Sequence, residues 1–215
     1  MFTANSLYTE AQWHKAERDI TALRAEFPQA THARLLRQLV KTACIKAGAT
    51  GAGTTAVSMI PGFGKALGWA VNLAGDTAIT SAIQRDLMLR IFALYQRTPS
   101  AADNAQMLSW MGTLGVGAIE LVEQIGGGAL KRMAKKVLGT VLRRGLPAVE
   151  ILASSATHVT GTFLLARKVA AYCREDLDDG SVLDPDPRRL RQWTMLSLGT
   201  VIDEKAPKTV KDAFR

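Results

Sequence analysis

Cysteine and histidine are scarce in this chain of 215 residues. Two cysteines, Cys44 and Cys173, cannot build a disulfide framework or a four-cysteine zinc site. Three histidines, His14, His32 and His158, lie far apart and show no metal-ligand spacing. Neither a metal nor a cofactor is expected. Aromatic residues make up 6% of the chain, and Trp13, Trp69, Trp110 and Trp193 fall on predicted apolar faces. They do not interleave with basic residues as a nucleic-acid surface would require, and no helix-turn-helix is evident. Period-two alternation of useful length is missing, which argues against strands. The opening Met1-Phe2-Thr3-Ala4-Asn5-Ser6-Leu7-Tyr8 has no basic segment followed by an apolar one, so it does not read as a secretory signal. Phe2 stands where myristoylation needs glycine. A reducing cytoplasm is the expected compartment.

What the chain does contain is apolar and cationic. Hydrophobic residues are 47% of the total, enough for a sizeable core. Lys and Arg outnumber Asp and Glu 27 to 19, a net charge of +8 with a pI near 9.8. Such a balance favours an anionic partner: a membrane surface, a nucleic acid or an acidic protein.

The pattern along the chain is helical. Thr9 to Gln12 fits a capping box, and Trp13, Ala16, Ile20, Leu23 and Phe27 then recur on one stripe. Pro28 should end that helix. Thr31 can cap a second helix with Leu35, Leu36, Leu39, Val40 and Ala43 inward and Arg34, Arg37 and Lys41 on its other face. Gly48 is expected to stop it. A third helix should run from about Lys65 to Tyr95. Thr98 to Asp103 reads as a turn and helix start, leading to Met107, Leu108, Trp110 and Met111. A long apolar helix is expected from about Ala148 to Arg174. Asp186-Pro187 should open a last helix with Leu190, Trp193 and Leu196 on one face.

Between the second and third helices lies an uncharged, glycine-dense stretch, Ala47 to Gly64, interrupted by Pro61-Gly62. It reads as a further helix and a turn. Glycine costs roughly 1 kcal/mol per helix-interior site against alanine. Gly51, Gly64 and Gly68 therefore point to close backbone approach between helices, with Pro61 and Gly62 as the turn. Asp76, alone in an uncharged run from Ala66 to Gln84, needs a partner such as Arg85 or Arg90, or a place near water or a ligand. Gly51-Ala-Gly53-Thr-Thr-Ala56 has the letters of a dinucleotide fingerprint, but the segment before it is helical where a strand is required. Gly64-Lys65 is followed by Ala66, so no hydroxyl stands ready for magnesium as in a P-loop. Ala47–Gly64, Asn104–Ile119 and Ile151–Ala166 approach the roughly 20 apolar residues of a membrane span, but each is interrupted by Pro, Gly or polar side chains. They read better as buried helices.

The strongest signal for a binding surface is the run from Ala129 to Arg144. It holds Lys131, Arg132, Lys135, Lys136, Arg143 and Arg144 and no acid. At about 100° per residue, Arg132, Lys135, Lys136 and Arg143 share one face and Leu130, Val137 and Val141 the opposite one. Lys131 lies on the border and Arg144 towards the apolar side. A helix of this kind can lie on an anionic surface; it can equally pack on the core with a solvated basic face. The one candidate general base on an apolar helix is His158, with Ser154 four residues before it and Glu150 eight before. The hydroxyl–imidazole pair by itself lacks an orienting acid and an oxyanion hole, so a satisfied core histidine is the favoured reading.

Several of these pieces together resemble the EcsC protein family. They are the Gly/Ala-rich lead into Ile60-Pro61-Gly62-Phe63-Gly64, Asp76, and the helix from Gln84 to Tyr95. Arg143-Arg144-Gly145-Leu146-Pro147 and Arg167-Lys168-Val-Ala-Ala-Tyr172 complete the set. The resemblance covers roughly Ala30 to Arg174. It implies a bacterial, helical, glycine-rich protein with membrane connections and brings no catalytic residues. The expected fold is all-α, one helical domain of seven to eight helices with a Gly/Ala-rich central hairpin. Residues 1–29 would form an N-terminal amphipathic helix, 30–175 an EcsC-like core, and 176–215 a C-terminal capping helix and tail. The expected function is non-enzymatic binding of lipid or another apolar ligand at the inner face of the cell membrane. Lys131, Arg132, Lys135, Lys136 and Arg143 would meet the anionic surface. A cytosolic protein–protein module accessory to a transporter or other membrane complex is the alternative, with an acidic protein as partner. A hydrolase built on His158 is the second alternative.

Overall fold

A computed structural model describes residues 8–58, 68–111, 148–174, 183 and 186–205. Side-chain packing is described over 8–53, 78–111, 152–174, 183 and 186–200. Among these residues the protein is all-helical, with six helices and no strand. They are α1 (Glu10–Glu26), α2 (His32–Ser58), α3 (Gly68–Leu94), α4 (described over 101–111), α5 (Ala148–Cys173) and α6 (Pro187–Lys205). The turn at Pro61, Gly62 and Gly64 that would close a Gly/Ala-rich hairpin lies outside the described residues.

Local chemistry explains several of the helix ends. The Thr9 side chain accepts from the Gln12 amide at 3.3 Å, and the Gln12 side chain accepts from the Thr9 amide at 2.8 Å, so two orphan donors are satisfied together. Trp13, Ala16 and Ile20 are buried on the predicted stripe, with Leu23 and Phe27 packed at its edge. Thr31 caps α2 by accepting from the Arg34 amide. α3 ends in a Schellman motif: the Arg97 amide donates to the Phe92 carbonyl at 3.0 Å and the Gln96 amide to the Ala93 carbonyl at 3.1 Å. Gln96 takes the left-handed position at φ 55°, where glycine is the usual choice. Ser100 and Asp103 then exchange side-chain-to-backbone bonds and start α4. The Arg188 amide donates to the Asp186 carboxylate at the start of α6.

α2 is the central helix, packed against α3, α5 and α6, while α1 lies on α3. Leu35, Leu36, Leu39, Val40 and Ala43 point inward, and Arg34, Arg37 and Lys41 outward, as the periodicity requires. The core joins these to Ile91, Phe92, Val159, Phe163, Met107 and Trp193 from the surrounding helices. Each fully buried large side chain is worth roughly 1.5–3 kcal/mol over its exposed state.

Two expectations fail. Gly48 does not stop the second helix; α2 runs through it to Ser58, so Ala47 onward is no separate helix. An alanine Cβ at Gly48 would lie 2.5 Å from Ser197 Oγ and 2.6 Å from Val159 Cγ2. The glycine is there because α5 and α6 press against α2 at that point, and that packing offsets its helix cost. Leu196 does not share the inward face of α6; it is 43% exposed, and Thr194, Ser197 and Leu198 are buried with Leu190 and Trp193 instead.

Candidate functional site

α2 carries no carboxylate anywhere in its length. Its Arg34, Arg37, Lys41 and Lys46 are exposed, and none forms an ion pair with a described carboxylate. Among the described residues the Arg37 guanidinium donates to the Ala33 carbonyl of its own helix, at 3.2 Å. Arg34, Arg37 and Lys41 recur at three- and four-residue spacing and form one cationic stripe.

Alongside, α2 and α3 part to leave a half-open groove of about 290 Å³. Leu39, Ala43, Ile83 and Leu87 form its floor, with Ile79 on the wall and 52% exposed. Lys46, Asp86 and Arg90 bring charge to its edge. Two of these are already matched. Arg90 contacts Asp19 at 2.8 Å and Asp86 at 2.9 Å, and Lys15 contacts Asp19 at 2.7 Å and Asp86 at 3.5 Å. Two cations and two carboxylates thus tie α1 to α3. Partial burial alone would raise the Asp19 carboxyl; the Lys15 hydrogen bond and the charges of Arg90, Lys15 and Arg18 outweigh it and hold it below the usual carboxylate range.

A second cluster joins α2, α3 and α5. The Ser154 hydroxyl donates to the Gly51 carbonyl at 3.0 Å, and Thr80 Oγ1 hydrogen-bonds His158 Nδ1 at 3.2 Å. The His158 ring lies against Gly51 so closely that a Cβ there would sit 2.2 Å from its Cδ2. Gly51 is therefore a point of close approach between α2 and α5. Ser154 spends its proton on the backbone of α2 and is not poised on the imidazole. Thr80, which does meet the imidazole, is buried, away from an incoming substrate. The Glu150 side chain lies outside the described residues.

A third cluster locks the ends of α3, α4 and α5. Asp103 is 3% exposed and accepts from the Tyr172 hydroxyl, from the Ser100 amide at 2.6 Å and from Arg97 at 3.3 Å. Arg97 also donates to the Tyr172 carbonyl and stacks over its ring at 4.6 Å. Burial pushes the Asp103 carboxyl up, but the bonds from Tyr172 and Ser100 and the Arg97 charge win and its pKa is lowered. Cys44 is fully buried, its Sγ donates to the Val159 carbonyl, and burial pushes its thiol pKa far up, so it is no nucleophile.

The remaining sequence-derived candidates divide as follows. Lys131, Arg132, Lys135, Lys136 and Arg143, with Pro61, Gly62 and Gly64, lie outside the described residues. Gly68 opens α3, and Asp76 lies within α3 with its side chain outside the description. Of the partners considered for Asp76, Arg90 is engaged with Asp19 and Asp86, and Arg85 donates to the Ser81 carbonyl. Residues 51–56, which spell the dinucleotide fingerprint, are helical. Among the described residues no group of His, Cys, Asp and Glu could hold a metal, and no helix is long and apolar enough to cross a membrane. Ile79, Ile83 and Asp86 were legible as residues of a long helix, but nothing in the sequence joined them to Lys46 as one groove. The acid-free run from Arg34 to Lys46 was the available signal for one of them, Lys46.

The chain matches no family model, no curated protein and no solved structure.

Proposed function

We propose that this chain is a non-enzymatic, membrane-associated helical protein of the EcsC type, held by basic surfaces against anionic lipid and able to take up lipid or another apolar ligand. In this reading the complete fold has seven to eight helices with a Gly/Ala-rich hairpin turning at Pro61-Gly62. The protein works at the inner, cytoplasmic face of the cell membrane. The observation that carries the proposal is the cationic stripe of α2: Arg34, Arg37 and Lys41 are exposed, and no described carboxylate neutralises them. The run Lys131, Arg132, Lys135, Lys136 and Arg143 adds further charge of the same sign to the sequence. Each such residue near an anionic leaflet contributes about 1 kcal/mol.

Vesicle flotation tests this. The protein should float with phosphatidylserine-containing vesicles and not with neutral ones, and salt should release it. Reversing Arg34, Arg37 and Lys41 to Glu removes at least about 3 kcal/mol, or roughly a hundredfold in partitioning. Reversal of Lys131, Arg132, Lys135 and Lys136 should act in the same direction. Equal partition to both vesicle types, or none to either, overturns the proposal.

A second reading, an interaction module accessory to a transporter or other membrane complex, draws support from apolar side chains left outward. Leu108 on α4 is 53% exposed and Leu196 on α6 is 43% exposed. A stoichiometric protein partner together with no affinity for lipid would favour it.

A further inference from the structure

We propose that the groove between α2 and α3 binds the acyl chain of a free long-chain fatty acid, with its carboxylate on Lys46. This deepens the lipid-binding reading above and rests on it.

The chemistry of the groove selects the ligand by elimination. Among the described residues its floor is Leu39, Ala43, Ile83 and Leu87, and the one hydroxyl in the lining, on Thr42, already donates to the Gln38 carbonyl, so the part that enters is apolar. Ile79 is half exposed on the wall, an apolar surface that a bound chain would cover. The volume of about 290 Å³ sits at the lower bound for small-ligand sites, which suits one chain and excludes a two-tailed lipid. From Ile79 to Arg90 the α3 wall extends about 16 Å at the helical rise, so the ligand is long and narrow.

The charge at the edge selects the head. Lys15, Asp19, Asp86 and Arg90 cancel within their own network. Among the described residues Lys46 is exposed with no carboxylate partner, and the described lining of the groove is left with one net positive charge. Phosphate groups are recognised best by a guanidinium fork, and Arg90 has committed its Nη2 to two aspartates. The buried Arg90 Nε is left without a described partner, and the exposed group is the Lys46 ammonium, a point charge that a monoanionic carboxylate neutralises one for one.

Calorimetric titration of the full chain with sodium myristate, below its micellar concentration, tests the assignment. One saturable site is expected, with tetradecanol, which has the same tail and no charge, binding about tenfold more weakly. Lys46→Gln should weaken myristate about tenfold and leave tetradecanol unchanged. Ala82 lines the groove yet is exposed, so Ala82→Trp blocks the groove without entering the core and should abolish binding of both. Absence of saturable binding overturns the proposal, as does myristate affinity unchanged in both variants. Circular dichroism melts check that each variant is folded. Flotation separates this inference from the membrane reading. If vesicles capture the protein but myristate does not bind, the groove assignment alone falls. If myristate binds at the groove and anionic vesicles capture nothing, the membrane reading falls and the groove stands.

Discussion

Gly48 and Gly53 lie in the same helix, five residues apart, and alanine should move stability in opposite directions at the two. In both positions alanine gains about 1 kcal/mol of helix propensity over glycine. At Gly53 a new Cβ meets nothing within 4 Å, so the gain stands and Gly53→Ala should be more stable by up to about 1 kcal/mol. At Gly48 the same atom would lie 2.5 Å from Ser197 Oγ, 2.6 Å from Val159 Cγ2 and 2.9 Å from Ser197 Cβ. Neither neighbour can retreat easily. Valine is nearly restricted to one rotamer in a helix, and a Cβ moves only with its backbone. Overpacking of this kind costs about 1–3 kcal/mol, and two stiff contacts argue for the upper half of that range. Subtracting the propensity gain leaves a net loss of about 1–2 kcal/mol. For a chain of this size each 1 kcal/mol shifts Tm by about 2–4 °C. Thermal and urea melts should therefore place Gly48→Ala below and Gly53→Ala above the parent. If Gly48→Ala is as stabilising as Gly53→Ala, helix packing is not the reason for glycine in α2, and the account of its uninterrupted course fails.

Other outcomes follow from the helix ends. Gln96→Gly should raise stability by about 0.5–1 kcal/mol, since glycine avoids the left-handed strain that glutamine bears at φ 55°; a urea midpoint at or below the parent's counts against the motif. Tyr172→Phe removes a hydrogen bond to a buried carboxylate and should cost about 1.5–3 kcal/mol near neutral pH. The folded-state pKa of Asp103 is depressed, so its contribution is complete above the unfolded value of about 3.9 and vanishes as pH falls through the lower folded value. The gap between parent and Tyr172→Phe in denaturant midpoint should accordingly narrow on acidification below the ordinary aspartate range. A gap that stays constant there would show that the two residues are not coupled.

Local signals carried far along this chain. The Thr9–Gln12 box, the Trp13–Ile20 stripe and the inward set from Leu35 to Ala43 depend on neighbours within one or two turns. Helical spacing alone suffices to read them, and the same holds for the starts of α4 at Ser100 and α6 at Asp186. The misreadings at Gly48 and Leu196 share a cause. A glycine that ends a helix and a glycine that admits another helix look alike in one dimension. Likewise, Leu196 and Leu198 are equally hydrophobic, and only the direction in which α5 and α2 approach α6 tells which is covered.

Composition and spacing were enough to establish an all-helical chain with a surplus of positive charge, because backbone preference and hydropathic period act over a few residues. The groove and its lone ammonium were not readable in that way. Leu39, Ala43 and Lys46 meet Ile79, Ile83 and Asp86 only when two helices pack side by side. Which cations stay unmatched depends on α1 delivering Asp19 to Arg90 across 71 residues of chain. Long-range packing settles such pairings, since a carboxylate neutralises whichever cation the fold brings within a few ångströms.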